Sequence, residues 1–287
     1  MWRIRLDIAY DGTDFSGWAR QPGLRTVQGV LEETLATLFR RYPPAPSVNV
    51  AGRTDAGVHA TGQVAHLELD DAQLRSLRRR GDDARTMAPD ALAVLLGQRI
   101  NGVLGADSDV VVASRLAPAG FDARFSAVWR RYEYRVSDAS GLRDPLLRRT
   151  TVRHPTVLDL DAMDAAARAL LGLHDYATFC KPRPHSTTIR TLQSFTWRRE
   201  ADGVLVAALQ ADAFCHSMVR SLVGVTVGVG DGSLTGDDVV RLRDARARTG
   251  EFLVMPAKGL VLTEVGYPAD AELAGRAEQT RARRELI

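Results

Sequence analysis

The chain has 287 residues and 45% hydrophobic content, enough for two modest cores or one large one. No run of eighteen apolar residues excludes an ordinary membrane-spanning helix, and the alternating start Met1-Trp2-Arg3-Ile4-Arg5-Leu6-Asp7 is unlike a signal peptide. A net charge of +3 only permits a nucleic-acid partner, although all but two of the 38 cations (Lys181 and Lys258) are arginine. Arginine suits phosphate and base faces, but the same bias follows from GC-rich coding. Cys180 and Cys215 lie far apart, outside any Cys-x-x-Cys spacing, which predicts reduced thiols without a disulfide or zinc framework. The six histidines are scattered, and no metal site is expected.

In chain order, Arg3 to Ala9 reads as a strand with Ile4, Leu6 and Ile8 on one face, followed by a turn-rich loop, 10–18. Thr26 is placed to cap a helix whose apolar residues Val27, Val30, Leu31, Leu35 and Leu38 recur at threes and fours, before Pro43-Pro44. Val48 to Ala51 and Gln63 to Leu69 read as strands, the second half-buried, with Ala65, Leu67 and Leu69 on its inner face. A short helix, 70–77, runs into a mixed-charge surface stretch, 78–85. Pro89 to Leu104 reads as an amphipathic helix with Leu92, Leu95, Leu96, Ile100 and Val103 inward. Asp109 to Leu116 is a strand, and Ala117 to Gly120 is expected to be a linker.

The second half repeats this order. Val128 to Ser137 is a strand, Asp159 to Leu171 a helix, and Thr191–Arg199 with Val204–Gln210 a hairpin. Phe214 to Val229 reads as a buried helix in which Gly224 and Gly228 allow close packing. Thr235 to Asp238 resembles a capping box, and Gly259 to Val265 a final strand. The charged tail from Ala269 is expected to be frayed. The predicted organisation is two domains, 1–116 and 121–268, with the tail 269–287.

Between the second and third strands lies the most distinctive stretch, Gly52-Arg53-Thr54-Asp55-Ala56-Gly57-Val58-His59-Ala60. It places one carboxylate, Asp55, in a glycine-bearing loop, with Arg53 two residues before it and His59 four after. On residue types alone, Thr-Asp-Ala-Gly is also ordinary turn chemistry. The stretch is similar to the signature of the tRNA pseudouridine synthase A family. Five further segments resemble the same family: Tyr10-Asp11-Gly12 with Phe15 to Trp18; Thr26-Val27-Gln28; Phe121 to Ser126 with Arg131-Tyr132-Glu133-Tyr134; Gly172 to Asp175 with Phe179; and Phe214 to Arg220. Gly259-Leu260 fits its last motif, and Cys215 stands where leucine is common.

The resemblance implies an α+β fold of two similar domains, antiparallel or mixed sheets flanked by helices, around a basic active-site cleft. It implies isomerisation of uridine to pseudouridine at positions 38, 39 and/or 40 of the tRNA anticodon stem-loop, by a cytoplasmic homodimer without cofactor or metal. Carried over residue by residue, Asp55, Tyr132 and Arg220 are catalytic, and Arg53, Leu260 and His59 bind substrate. His59 also has a reading as loop packing, and Tyr134 as supporting core. Two other readings compete: a tRNA-folding factor with a decayed loop, against which Asp55, Tyr132 and Arg220 are intact, and a metal-dependent phosphoesterase using Asp55, His59 and His66, which lacks a second carboxylate at ligand spacing.

Overall fold

The computed structural model describes residues 1–78, 88–106, 108–183 and 187–281. The chain divides into two compact units. The first is Met1–Ala127 with the described part of Val265–Ala282, and the second contains Val128–Glu264. Both combine antiparallel strands with helices, the α+β class expected. The charged stretch expected at 78–85 lies, after Arg78, outside the described residues.

In the first unit, β1 (Trp2–Tyr10) is followed by α1 (Val27–Leu38), β2 (Asn49–Val50), β3 (His59–Leu69), α2 (Asp71–Ser76), α3 (Pro89–Leu104) and β4 (Val110–Leu116). Strand β1 lies between β3 and β4, antiparallel to both, and β2 pairs with β3. The Thr26 side chain caps α1 by accepting from Gly29 N–H, as the sequence predicts. Leu31 and Leu35 are fully buried, each side chain contributing about 2 kcal/mol. Helix α3 covers the face that carries Leu6, Ile8 and Val112: Ser114 Oγ accepts from Gly97 N–H at 2.6 Å and donates to the Ala93 carbonyl. Leu95 is only half-buried and Val103 is exposed. Both line an open groove with Leu38 instead of the core.

Strand β3 is buried on both faces, not one. Its second face is covered by residues 121–123, which the expected bounds place at the start of the second domain. Ala123 N–H donates to His66 Nδ1 at 3.1 Å, and Phe121 packs edge-on to His66 and against Tyr267. Arg5, opposite His66, stacks over Tyr267. Burial first, then the Arg3 charge, pushes the His66 pKa down.

The second unit runs β5 (Trp129–Ser137), β6 (Val152–Arg153), α4 (Leu160–Ala169), β7 (Gly172–Asp175), β8 (Ile189–Arg199), β9 (Leu205–Ala211), α5 (Met218–Gly230), α6 (Gly236–Ala245) and β10 (Leu260–Gly266). Its strands are ordered β10-β5-β9-β8-β7, with β6 beside β5. The β8–β9 hairpin turns through Gly203 at φ 82°, as expected. Helix α4 is tied to β8 where Trp197 N–H donates to Asp164, and the Trp197 indole N–H reaches Thr226 on α5. Asp138 is fully buried. Burial works against its charge, but hydrogen bonds from Arg199, Ser140 and Leu158 N–H hold its carboxyl well below the usual range. The Thr235–Asp238 capping box is present.

The described part of the tail is helical: α7 (Leu273–Arg281) returns to the first unit. Leu273 and Ala277 are buried, Ser126 Oγ donates to the Leu273 carbonyl, and Arg281 stacks over Phe125. Two small apolar contacts in a charged helix give no visible stripe in the sequence. The cysteines also depart from expectation. Cys180 and Cys215 form a disulfide, their Cα atoms 5.7 Å apart. Sequence separation is a poor guide here, because β8 and β9 lie between them and fold back as a hairpin.

Candidate active site

The connection 51–58 between β2 and β3 carries Asp55, half-buried, beside exposed Arg53. Val58 N–H donates to the Asp55 carbonyl at 3.2 Å, closing a turn with Gly57 at φ 76°, a left-handed geometry that glycine adopts without strain. The segment 10–18 lies directly on this turn. A Cβ at Gly12 would stand 2.0 Å from the Val58 carbonyl oxygen, and one at Gly17 3.0 Å from that of Thr54. Trp18 N–H donates to the Thr54 carbonyl and Gly57 N–H to that of Phe15. Helix α1 then holds the segment from behind: its first amides, Val27 and Gln28, donate to the Gly17 and Trp18 carbonyls. Amides left unpaired at a helix start thus find partners in a functional loop. Three motifs separated in sequence form one structure.

Side chains complete it. Tyr10 Oη and Thr54 Oγ1 are 2.7 Å apart, and Gln63 Nε2 donates to the Gly52 carbonyl at 2.8 Å and to Tyr10 Oη at 3.4 Å. His59 is buried; its Nδ1 accepts from Gly12 N–H at 3.0 Å and lies 3.1 Å from Asp11 Oδ1. His66 is committed to Ala123 and Phe121, on a face already covered, and so is not part of a ligand set with Asp55 and His59.

The second unit holds Tyr132, Arg220 and Leu260. On β5, a strand as predicted, the side chains alternate: Arg130, Tyr132, Tyr134 and Val136 are buried, whereas Arg131 and Glu133 are half-buried and pair with Glu264 and Arg198. Tyr132 packs edge-on to Phe214, ring centroids 5.1 Å apart. Tyr134 is fully buried and donates to the Pro256 carbonyl at 2.7 Å. Burial pushes its phenol up, with the Arg220 charge opposing. Helix α5 starts at Met218, four residues later than the sequence suggests, because Ser217 takes a left-handed φ of 66°. Arg220 therefore stands in the first turn, where its Nε donates to the Met255 carbonyl at 2.5 Å while Met255 N–H returns a bond to the Arg220 carbonyl. Arg220 and Tyr134 together fix residues 255–256, ahead of buried Leu260.

Arg53, Asp55 and His59 thus share one loop region of the first unit, and Tyr132, Arg220 and Leu260 belong to the second. Sequence reasoning missed Thr54, Tyr10 and Gln63 as a connected group. Their signal was present, since all three fall inside or beside matched motifs. Chemically, the loop offers a partly accessible carboxylate on a rigid backbone, suited to act as a nucleophile. The second unit offers an aromatic face, a phenol and an anchored guanidinium. No group of three or more His, Cys, Asp or Glu able to hold a metal occurs among the described residues, and no helix among them is long and apolar enough to cross a membrane.

A family model described as tRNA pseudouridine synthase matches residues 166–268. Proteins named tRNA pseudouridine synthase A match almost the full length, so the resemblance includes the Asp55 loop region. That of Leifsonia xyli subsp. xyli is 63% identical over 286 residues, covering 99% of this chain and 98% of that one. That of Frankia casuarinae is 49% identical over 282 residues, covering 98% and 94%, and that of Streptomyces avermitilis 47% over 285, covering 99% and 94%. At that identity and coverage, and with the expected motifs assembled around Asp55 in one unit and around Arg220 in the other, the chain belongs to the tRNA pseudouridine synthase A family.

Proposed function

We propose that this chain converts uridine to pseudouridine at positions 38, 39 and/or 40 of the tRNA anticodon stem-loop, in the cytoplasm and as a homodimer. The observation that carries the reading is Asp55, half-buried on a loop braced by segment 10–18 and the start of α1. The names of the relatives support tRNA as the substrate.

The reaction breaks the N1–C1′ bond of uridine and forms C5–C1′. The proton at C5 leaves and N1 gains one. No electrons, phosphate or water are consumed overall, so the chemistry calls for neither cofactor nor metal. Asp55 is the proposed nucleophile, with attack at C1′, attack at C6 and a glycal route all compatible with a carboxylate. Arg220 is proposed to keep that carboxylate charged, and Tyr132 to stack on the uracil and assist loss of the C5 proton. Leu260 lines the base site. Arg53 takes the place of the flipped nucleotide, offsetting an unstacking cost of a few kcal/mol. His59 serves the site through its bond to Gly12, supporting the loop from below.

Purified protein incubated with uridine-labelled tRNA transcript, without added metal or cofactor, should yield pseudouridine at one or more of positions 38–40. Absence of product, or product only elsewhere, overturns the reading. Light scattering that returns the chain's own 31.3 kDa counts against the dimer.

A further inference from the structure

Asp55 is braced by its backbone, but the tripeptide before it is also suspended from the sheet by side chains. We infer that Tyr10, Thr54 and Gln63 are positioning residues, forming a buried hydrogen-bond relay that fixes the Asp55 carboxylate for the reaction. The inference rests on the proposed role of Asp55.

All three side chains are buried, with relative exposures of 5%, 6% and 0% for Tyr10, Thr54 and Gln63. Tyr10 ends β1, Gln63 lies in β3, and only Thr54 is in the loop, next to Asp55. Gln63 spends its carbonyl on Val64 N–H at 3.1 Å and its amide on the Gly52 carbonyl and Tyr10 Oη. An amide nitrogen only donates, so Tyr10 Oη accepts from Gln63. A buried hydroxyl proton needs an acceptor, and for Tyr10 the structure offers Thr54 Oγ1 at 2.7 Å. The relay therefore runs from Gln63 through Tyr10 to Thr54, with either hydroxyl of the last pair able to donate. It holds the loop at Gly52 and again at Thr54, on both sides of Arg53. Burial raises the Tyr10 phenol to about 12, so it stays protonated and able to donate throughout the working pH range. A strand-borne anchor is stiffer than a loop contact, which suits a group that must hold a reacting carboxylate in place.

The relay predicts an effect on turnover and not on tRNA binding. Tyr10→Phe should lower kcat by roughly 10- to 100-fold, the penalty of a misplacement near 1 Å, with KM and tRNA affinity within about three-fold. Thr54→Val should match it, and Thr54→Ser, which keeps the hydroxyl, should stay within about three-fold of the parent. The double variant Tyr10→Phe/Thr54→Val should be no slower than the slower single variant, because both break one chain. Wild-type kcat in Tyr10→Phe, a loss confined to KM, multiplicative losses in the double variant, or a Thr54→Ser as slow as Thr54→Val would each overturn the relay. If Tyr10→Phe fails to fold, judged by its unfolding midpoint, the Thr54 pair decides alone. Asp55→Asn assayed beside them separates the two ideas. An active Asp55→Asn removes the proposed nucleophile, whereas an inactive one with a fully active Tyr10→Phe removes only the relay.

Discussion

The two regions that carry the proposed chemistry are held by opposite means. The Asp55 loop relies on glycine where chain meets chain: Gly12 and Gly17 bring segment 10–18 onto it, and Gly57 turns with a positive φ. Its strain is low and its support is a buried polar network. The Arg220 turn instead keeps a non-glycine residue, Ser217, at φ 66° with no side-chain cap on α5. Such backbone persists only when its surroundings over-determine it. Here they do: the Cys180–Cys215 disulfide precedes it, Lys181 N–H donates to the His216 carbonyl at 2.8 Å, and Gly224 lets Leu253 approach α5. The contrast teaches that a rigid site is reached either by removing strain or by clamping it. The first way depends on particular side-chain hydroxyls and the second on covalent and backbone ties.

The largest expected effect tests whether the chemistry sits on the first region at all. Asp55→Asn should lower turnover by about 10⁴-fold or more, with tRNA affinity within a few-fold because phosphate contacts dominate binding. Single-turnover rates beside filter binding check both halves.

Tyr132 separates ring from phenol in the second region. Tyr132→Phe should keep substrate binding yet turn over slowly, while Tyr132→Leu should also lose roughly 1–3 kcal/mol of base binding. Equal activity of the two variants would dispose of both roles, and an inactive Tyr134→Phe would move the active position by two residues.

Glycine substitutions sharpen the contrast in support. A Cβ at Gly224 would stand 1.7 Å from the Leu253 carbonyl oxygen, and one at Gly12 2.0 Å from that of Val58. Each Gly→Ala change should cost about 2–4 kcal/mol through forced backbone movement. Denaturant unfolding of the two variants should show each loss in its own unit.

A last test concerns the clamp. Reducing the disulfide, whose ends are 35 residues apart, should lower stability by up to about 3–4 kcal/mol on the loop-entropy account. Unfolding midpoints measured with and without a thiol reductant would show it. The Asp55 region, which contains no cysteine, should be unaffected by reduction.

Local patterns were enough for much of this protein. The alternating run of β1, the strand β5, the Thr26 and Thr235 caps and the β8–β9 hairpin form as read, because each depends on neighbours within a few residues. The resemblance to the family came from short ordered motifs for the same reason: the Asp55 turn and its glycines are written contiguously. Distant partners decided the rest. That β3 is covered on both faces follows from Phe121, Ala123 and Tyr267 closing over Arg5 and His66. That the tail folds as far as Arg281 depends on Leu273 and Ala277 finding the first unit, and that the cysteines pair depends on the β8–β9 hairpin between them. Sequence by itself determined which residues could turn, cap and alternate, since those are properties of the local backbone. Only the tertiary structure decided which polar groups meet, from Tyr10 with Thr54 to Arg220 with Met255. A buried hydrogen bond is satisfied by position in space, whatever the separation along the chain.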